Sequence, residues 1–159
     1  MNATEFAVRA EGIRSKLYKT AYIYMGGEAA AADVLDEAVY RALRSCRKLK
    51  QPEFFDTWIT RILINECCRE LKRRKRETSI DELPETPAEH FDTLPLKEAV
   101  RALPAELREL IILRYFGGYT LRESAEILDI PQGTAATRQR RALELLRLEL
   151  EEPHGEEEL

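Results

Sequence analysis

The sequence predicts an all-α fold of two small helical domains, three helices in the first and four in the second, joined by a flexible acidic linker. Three observations lead there. Apolar residues recur three and four apart through most of the 159 residues. The stretch 77–95 breaks that rhythm with Pro84, Pro87 and Pro95 and carries six acidic residues and no Lys or Arg. Finally, Thr120 to Arg147 has the pattern of two helices about a tight turn. The expected bounds are therefore 1–76 and 96–150 for the domains, 77–95 for the linker and 151–159 for an acidic tail.

In chain order, Glu5 to Tyr24 forms the first helix, with Phe6, Ile13, Leu17, Ala21 and Tyr24 near one face and Gly26-Gly27 ending it. Glu28 to Cys46 forms the second, burying Leu35, Ala38, Val39, Ala42, Leu43 and Cys46. Its opposite face carries Asp33, Asp36, Glu37, Tyr40, Arg41 and Arg44. Solvation and a Glu37 to Arg41 pair worth ~0.3 kcal/mol would account for that face; a partner surface is the sharper account. The loop Arg47 to Pro52 leads into the third helix, Glu53 to Arg76. One stripe of it, Phe55, Trp58, Ile59, Ile62, Leu63, Cys67 and Leu71, closes a three-helix core. The stripe beside it is Arg61, Asn65, Arg69, Lys72 and Arg76. A helix needing only solubility could mix both signs of charge there, whereas cations with one amide suit a row of phosphates and one base-edge reader. Phe54, Phe55 and Trp58 offer faces that can stack an exposed base, although the apolar stripe assigns Trp58 to the core first.

The second domain opens with Leu96 to Ala102. Pro104 then starts the helix PAELRELIILRYF, and Gly117-Gly118 ends it. Thr120 and Glu123 have capping-box spacing, which starts a helix at Leu121 with Leu121, Ala125 and Leu128 on its inner face. That helix stops at Asp129-Ile130-Pro131, where Asp129 must take a left-handed conformation that glycine adopts more easily. The helix beyond Pro131 displays Gln132, Thr134, Thr137, Arg138, Gln139, Arg140 and Arg141 as donors for phosphates and base edges. Ala135 and Gln139 take its inward positions, where Val and Leu would bury more surface. The unit reads as a helix-turn-helix whose second helix enters the DNA major groove, against a plain hairpin with a solvated basic face.

A net charge of -4 would argue against a nucleic-acid partner if it were spread evenly. Instead, residues 1–76 hold 16 basic against 10 acidic residues, net +6, whereas 96–159 hold 9 against 13, net -4. Local fields rather than the total steer DNA. No apolar run reaches bilayer length and the N-terminus lacks a signal-peptide core, so the expected location is the cytoplasm. Cys46, Cys67 and Cys68 lack C-x-x-C spacing, and His90 and His154 sit in acidic segments, so no metal site is expected. Only nearby arginines would favour a redox role for Cys68. Neither a nucleophile elbow nor a phosphate-cradling glycine loop is present; no catalytic residue, cofactor or small-molecule substrate is expected, and the chain does not read as an enzyme.

Three blocks, ADVLDEAVYRAL, FFDTWITRILINECCRELKRRKR and LPAELRELIILRYFGGYTLRESAEILDIPQGT, resemble the two domains of bacterial extracytoplasmic-function sigma factors in order and separation. The resemblance runs from about residue 15 to 147. It implies a transcription initiation factor that binds core RNA polymerase and carries it to promoter DNA. The first domain would melt and read the minus-ten element, the second would read minus-thirty-five, and an anti-sigma factor would hold the protein in check. Position by position, Asp33, Leu35, Asp36 and Glu37 match the block that meets the polymerase clamp helices, with Asp36 replacing the commoner Gln. Arg61, Asn65 and Arg69 match the helix on the minus-ten strand, which Lys72 and Arg76 extend. Arg47 to Pro52 matches the loop that captures a flipped base. Thr134, Thr137, Arg138 and Arg141 match the minus-thirty-five reader, and Ala136 stands where the family often has a basic residue. The acidic linker would thread the polymerase's RNA path. The rivals are a dimeric helix-turn-helix repressor and a signalling adaptor whose basic helix binds acidic proteins.

Overall fold

The computed structural model describes residues 1–78 and 94–151, which hold seven α-helices and no strand. These are α1 (Ala3–Met25), α2 (Glu28–Ser45), α3 (Phe55–Thr78), α4 (Leu94–Ala102), α5 (Ala105–Ile111), α6 (Leu121–Leu128) and α7 (Gln132–Glu151). The chain divides into two compact units between α3 and α4. The interior of the expected linker, 79–93, and the tail 152–159 lie outside the described residues. At its described ends the linker is helical: Glu77 and Thr78 complete α3, while Leu94 and Pro95 open α4. Arg73 donates to Glu77 at 2.7 Å across one turn and extends α3. Pro95 sits in a first turn, where its missing N–H has no intrahelical partner to lose.

In the first unit, α1 starts at Ala3, before the apolar pattern begins, because Asn2 caps it. The Glu5 N–H donates to Asn2 Oδ1 at 2.9 Å and the Asn2 N–H donates to Glu5 Oε2 at 3.2 Å. Gly26 ends α1 in the left-handed region, φ 76°. The core of the three-helix unit includes Leu17, Leu35, Ala38, Phe55, Ile59, Leu63 and Cys67, all buried, with Phe55 0% exposed. Phe6 meets Phe55 edge to face at 5.7 Å. Each such large side chain contributes about 1.5–3 kcal/mol by leaving water. Two elements differ from the pattern. Leu43 is 40% exposed rather than buried. A 3-10 turn over Pro52–Phe54 delays α3 to Phe55, with the Phe54 N–H donating to Gln51 O at 3.1 Å.

In the second unit, Leu110, Ala125 and Ala135 form a buried cluster flanked by half-buried Leu121, Leu128 and Ile130. Ala135 is wholly enclosed, so its small side chain sets a close approach of α7 rather than leaving a gap. Gln139 faces inward less completely, with its Oε1 buried. The expected single helix after Pro104 is in fact α5 followed by a π turn over Ile112–Phe116, closed by the Gly117 N–H donating to Ile112 O at 2.8 Å. Ile111, Ile112 and Leu113 are all buried. Three consecutive positions of an α-helix sweep about 200°, wider than one apolar stripe, and the wider turn narrows that arc. The capping box at Thr120 and Glu123 forms as its spacing predicts, at 3.0 and 3.1 Å. Asp129 takes the left-handed conformation, φ 56°, and Pro131 directly precedes α7, its carbonyl accepting from the Ala135 N–H at 3.0 Å.

Candidate functional site

On α2, Asp33, Asp36 and Glu37 are exposed while Leu35 is 1% exposed. Leu35 therefore lies in the core, where it fixes the helix that presents its acidic neighbours. Arg14 of α1 approaches Asp36 at 3.9 Å. On α3, Arg61, Asn65, Arg69, Lys72 and Arg76 are all exposed, at the helical spacing that places them on one face. The cations of the lysine-arginine run are not uniformly available. Arg73 bonds Glu70 at 2.6 Å and Glu77 at 2.7 Å, and Arg74 reaches Glu70 at 3.3 Å. The hydrogen bond from Arg73 is the main reason the Glu70 carboxyl sits below the usual carboxylate range.

Sequence reasoning missed Glu66. It is buried between α2 and α3, its side chain 8% exposed, and one of its oxygens, Oε1, takes Arg41 Nε at 2.8 Å and Arg69 Nη1 at 3.0 Å. The same Arg41 Nε lies 3.0 Å from Glu37 Oε1. The i,i+3 spacing of Glu66 and Arg69 was a usable signal for half of this chain of charges; the contact to Arg41 depends on how α2 packs on α3.

Beside the start of α3 lies a groove of about 660 Å³ lined by Ser45, Lys48, Leu49, Lys50, Gln51, Phe54, Trp58 and Ile62. Trp58 serves both expectations, half-buried against Phe55 at 5.9 Å between centroids while its ring also lines the groove. The neighbouring cysteines differ sharply. Burial is the main cause that pushes the Cys67 thiol far above its ordinary range, so it is protonated at neutral pH, whereas Cys68 is half-buried. Iodoacetamide should accordingly alkylate Cys68 well before Cys67 in the folded chain; equal labelling by peptide mapping would contradict this environment.

In the second unit, Thr134, Thr137, Arg138 and Arg141 share one concavity of about 430 Å³ with Pro104, Glu106, Leu107 and Gly133. The structure thus brings together the four residues expected to read duplex DNA. Arg138 is held over the concavity by Glu106 at 3.6 Å. Glu106 is 74% exposed, so this pair costs at most about 1 kcal/mol to open. Thr137 Oγ1 donates to Gly133 O at 3.1 Å and stays exposed. Among the described residues no helix is long and apolar enough to cross a membrane.

Comparison with known proteins matches this geometry. Residues 11–77 match Sigma-70 region 2, and residues 93–146 match Sigma-70 region 4. The chain is 30% identical over 142 residues to the RNA polymerase sigma factor SigV of Bacillus subtilis, covering 86% of each protein. It is 30% identical over 134 residues to the ECF RNA polymerase sigma-E factor of Escherichia coli, covering 72% of this chain and 70% of that one. The fold is similar to that of the sigma factor RpoE solved in complex with the anti-sigma factor NepR from Bartonella quintana. There the TM-score is 0.75 at 24% identity, covering 93% of this chain and 98% of that one. It is also similar to CnrH solved in complex with the cytosolic domain of CnrY, with a TM-score of 0.74 at 21% identity, covering 94% and 90%. With both regions matched in order and relatives at 30% identity along most of its length, the chain belongs to the extracytoplasmic-function family of RNA polymerase sigma factors and is a transcription initiation factor rather than an enzyme.

Proposed function

We propose that three surfaces of this alternative sigma factor divide its work. The acidic face of α2, with Asp33, Asp36 and Glu37 seated by Leu35, docks on core RNA polymerase. The exposed stripe Arg61, Asn65, Arg69, Lys72 and Arg76 holds one melted strand of the minus-ten element, and the groove around Trp58, Phe54 and Gln51 takes an unstacked base between an aromatic face and an amide. Thr134, Thr137, Arg138 and Arg141 read the minus-thirty-five element in the major groove. The observation that carries this division is the α3 stripe, all five of whose residues are exposed on one face beside a groove with an aromatic wall. A dimeric repressor that reads duplex DNA through α7 leaves that stripe and groove without a task.

The domain division at 1–76 and 96–150 follows from the same assignment, with the segment between them running along the polymerase's RNA path and the whole acting in the cytoplasm. An anti-sigma partner is part of this proposal, supported by the structural relative that was solved with the anti-sigma factor NepR. The test of the assignment is base discrimination. Arg138→Ala should lose about 1–3 kcal/mol on the promoter's own minus-thirty-five sequence and much less on a sequence altered at the contacted pair. Electrophoretic shifts of holoenzyme on the two duplexes measure it, and equal losses on both would reduce Arg138 to a phosphate contact.

A further inference from the structure

The groove beside Trp58 is built on the segment that joins α2 to α3, and that segment holds itself only at its two ends. The Leu49 N–H donates to Cys46 O at 3.2 Å, and the Phe54 N–H donates to Gln51 O at 3.1 Å. Lys50 and Gln51, which line the groove between those turns, belong to no helix. Pro52 has no N–H, so its carbonyl is the one backbone hydrogen-bonding group it offers. That carbonyl is taken twice. The Phe55 N–H donates to it at the start of α3, and Arg9 of α1, 43 residues upstream, donates to it from Nη1 at 2.7 Å. A guanidinium bonded to a carbonyl is a charge-assisted contact, stronger than one between neutral groups.

The first turns of α1 are aimed at this segment. The capping box of Asn2 with Glu5 starts α1 at Ala3, so Phe6 and Arg9 both stand on helix. They are three residues apart and share a face. Phe6, 3% exposed, meets Phe55 edge to face at 5.7 Å, while Arg9 meets Pro52 three residues earlier in the chain. Phe55 in turn lies 5.9 Å from Trp58, the aromatic wall of the groove. We propose that Arg9 is a positioning residue for the groove, tying the end of the joining segment to α1 and fixing Gln51 and Phe54 at the spacing an inserted base requires; the proposal rests on the assignment of this groove to an unstacked base. Stacking alone accepts any base, since each has a π face. Choosing one base needs polar groups held in place against the aromatic wall. Without Arg9 the turn at Pro52–Phe54 keeps its internal bond but loses its tie to α1, and the segment must be ordered anew when a base enters.

The experiment measures holoenzyme affinity for a pre-melted promoter bubble in which each minus-ten position of the captured strand carries each of the four bases in turn. Arg9 is exposed, so Arg9→Ala should leave helical content unchanged. It should reduce base discrimination at one position by about fivefold or more, the lower end of what one stacked base is worth, and leave the other positions as they were. Undiminished discrimination at every position would overturn the proposal. The slope of log affinity against log salt should match wild type; a slope shallower by about 0.7 would make Arg9 a phosphate contact and overturn the proposal too. Arg9→Lys keeps a cationic donor on a long stem and should recover most of the discrimination. Lys19→Ala removes another exposed cation of α1; an equal loss there would reduce the effect to charge and count against Arg9. Phe54 is 48% exposed, so Phe54→Ala tests the groove itself without touching the core. If Phe54→Ala removes discrimination at one position while Arg9→Ala leaves it whole, the positioning role fails and the groove assignment stands. If neither variant changes discrimination anywhere, both fall.

Discussion

Reversing the two charges Asp36→Lys and Glu37→Lys should weaken binding to core RNA polymerase by about 2–5 kcal/mol, with helical content unchanged. Both side chains are exposed on α2, and the residue that anchors this part of the helix is the buried Leu35 beside them, which the substitutions leave in place. Asp36 pairs only loosely with Arg14 at 3.9 Å, so little intramolecular stabilisation is lost there. Glu37 is different, because its substitution also frees Arg41. Asp36→Lys alone therefore tests docking while leaving the contacts among Glu37, Arg41 and Glu66 in place. Anisotropy of the labelled chain against core enzyme measures the effect, with circular dichroism as the folding control; unchanged affinity in a folded variant would remove this face from the docking surface.

The second large effect concerns α3 and discriminates between its two kinds of residue. Asn65 supplies directional hydrogen bonds, so Asn65→Ala should reduce opening of a duplex promoter more than binding to a pre-melted bubble, with little change in salt dependence. Arg69 and Lys72 supply salt-sensitive attraction. Replacing both with alanine should flatten the salt dependence on both templates by about 0.7 per lost contact. Permanganate reactivity of promoter thymines with purified holoenzyme reports the melting. A protein that reads duplex DNA through α7 alone would show equal reactivity in every variant, and that result would sink the strand assignment.

What the sequence made legible is governed by local rules. The capping box at Thr120 and Glu123, the stop at Gly26, the apolar stripe centred on Phe55, Ile59 and Leu63, and the exposed row from Arg61 to Arg76 each depend on spacing within one helix, and periodicity reports such spacing directly. The capping box of Asn2 with Glu5 has the same form and spacing as that of Thr120 with Glu123, so it too is a local signal in the sequence. Other features were set by contacts between elements. Glu66 looks like any helical acid until α2 brings Arg41 to within 2.8 Å of it. Leu43 fits the apolar stripe of α2 by spacing yet ends 40% exposed, because α1 and α3 cover only part of that stripe near its C-terminal end. The 3-10 turn at Pro52–Phe54 and the π turn at Ile112–Phe116 depart from helical periodicity where the pattern still looks regular. The site followed the same division: the row on α3 and the donors on α7 could be read from the sequence, while the groove beside Trp58 and the pairing of Arg138 with Glu106 required the packed chain.

The π turn also makes chain length a variable that the local backbone can absorb. Each residue of an α-helix turns the chain by about 100° and advances it about 1.5 Å. Removing one residue between Ile111 and Gly117 would let the local backbone relax into ordinary helical hydrogen bonding. A π turn holds one residue more than an α turn over nearly the same rotation, so α6 and α7 would keep their approach to α5 while the core loses one of the buried side chains at Ile112 and Leu113. A single-codon deletion here is thus absorbed by the backbone and felt in the packing beneath the DNA-reading unit, a kind of change that scoring each position for its preferred amino acid cannot detect.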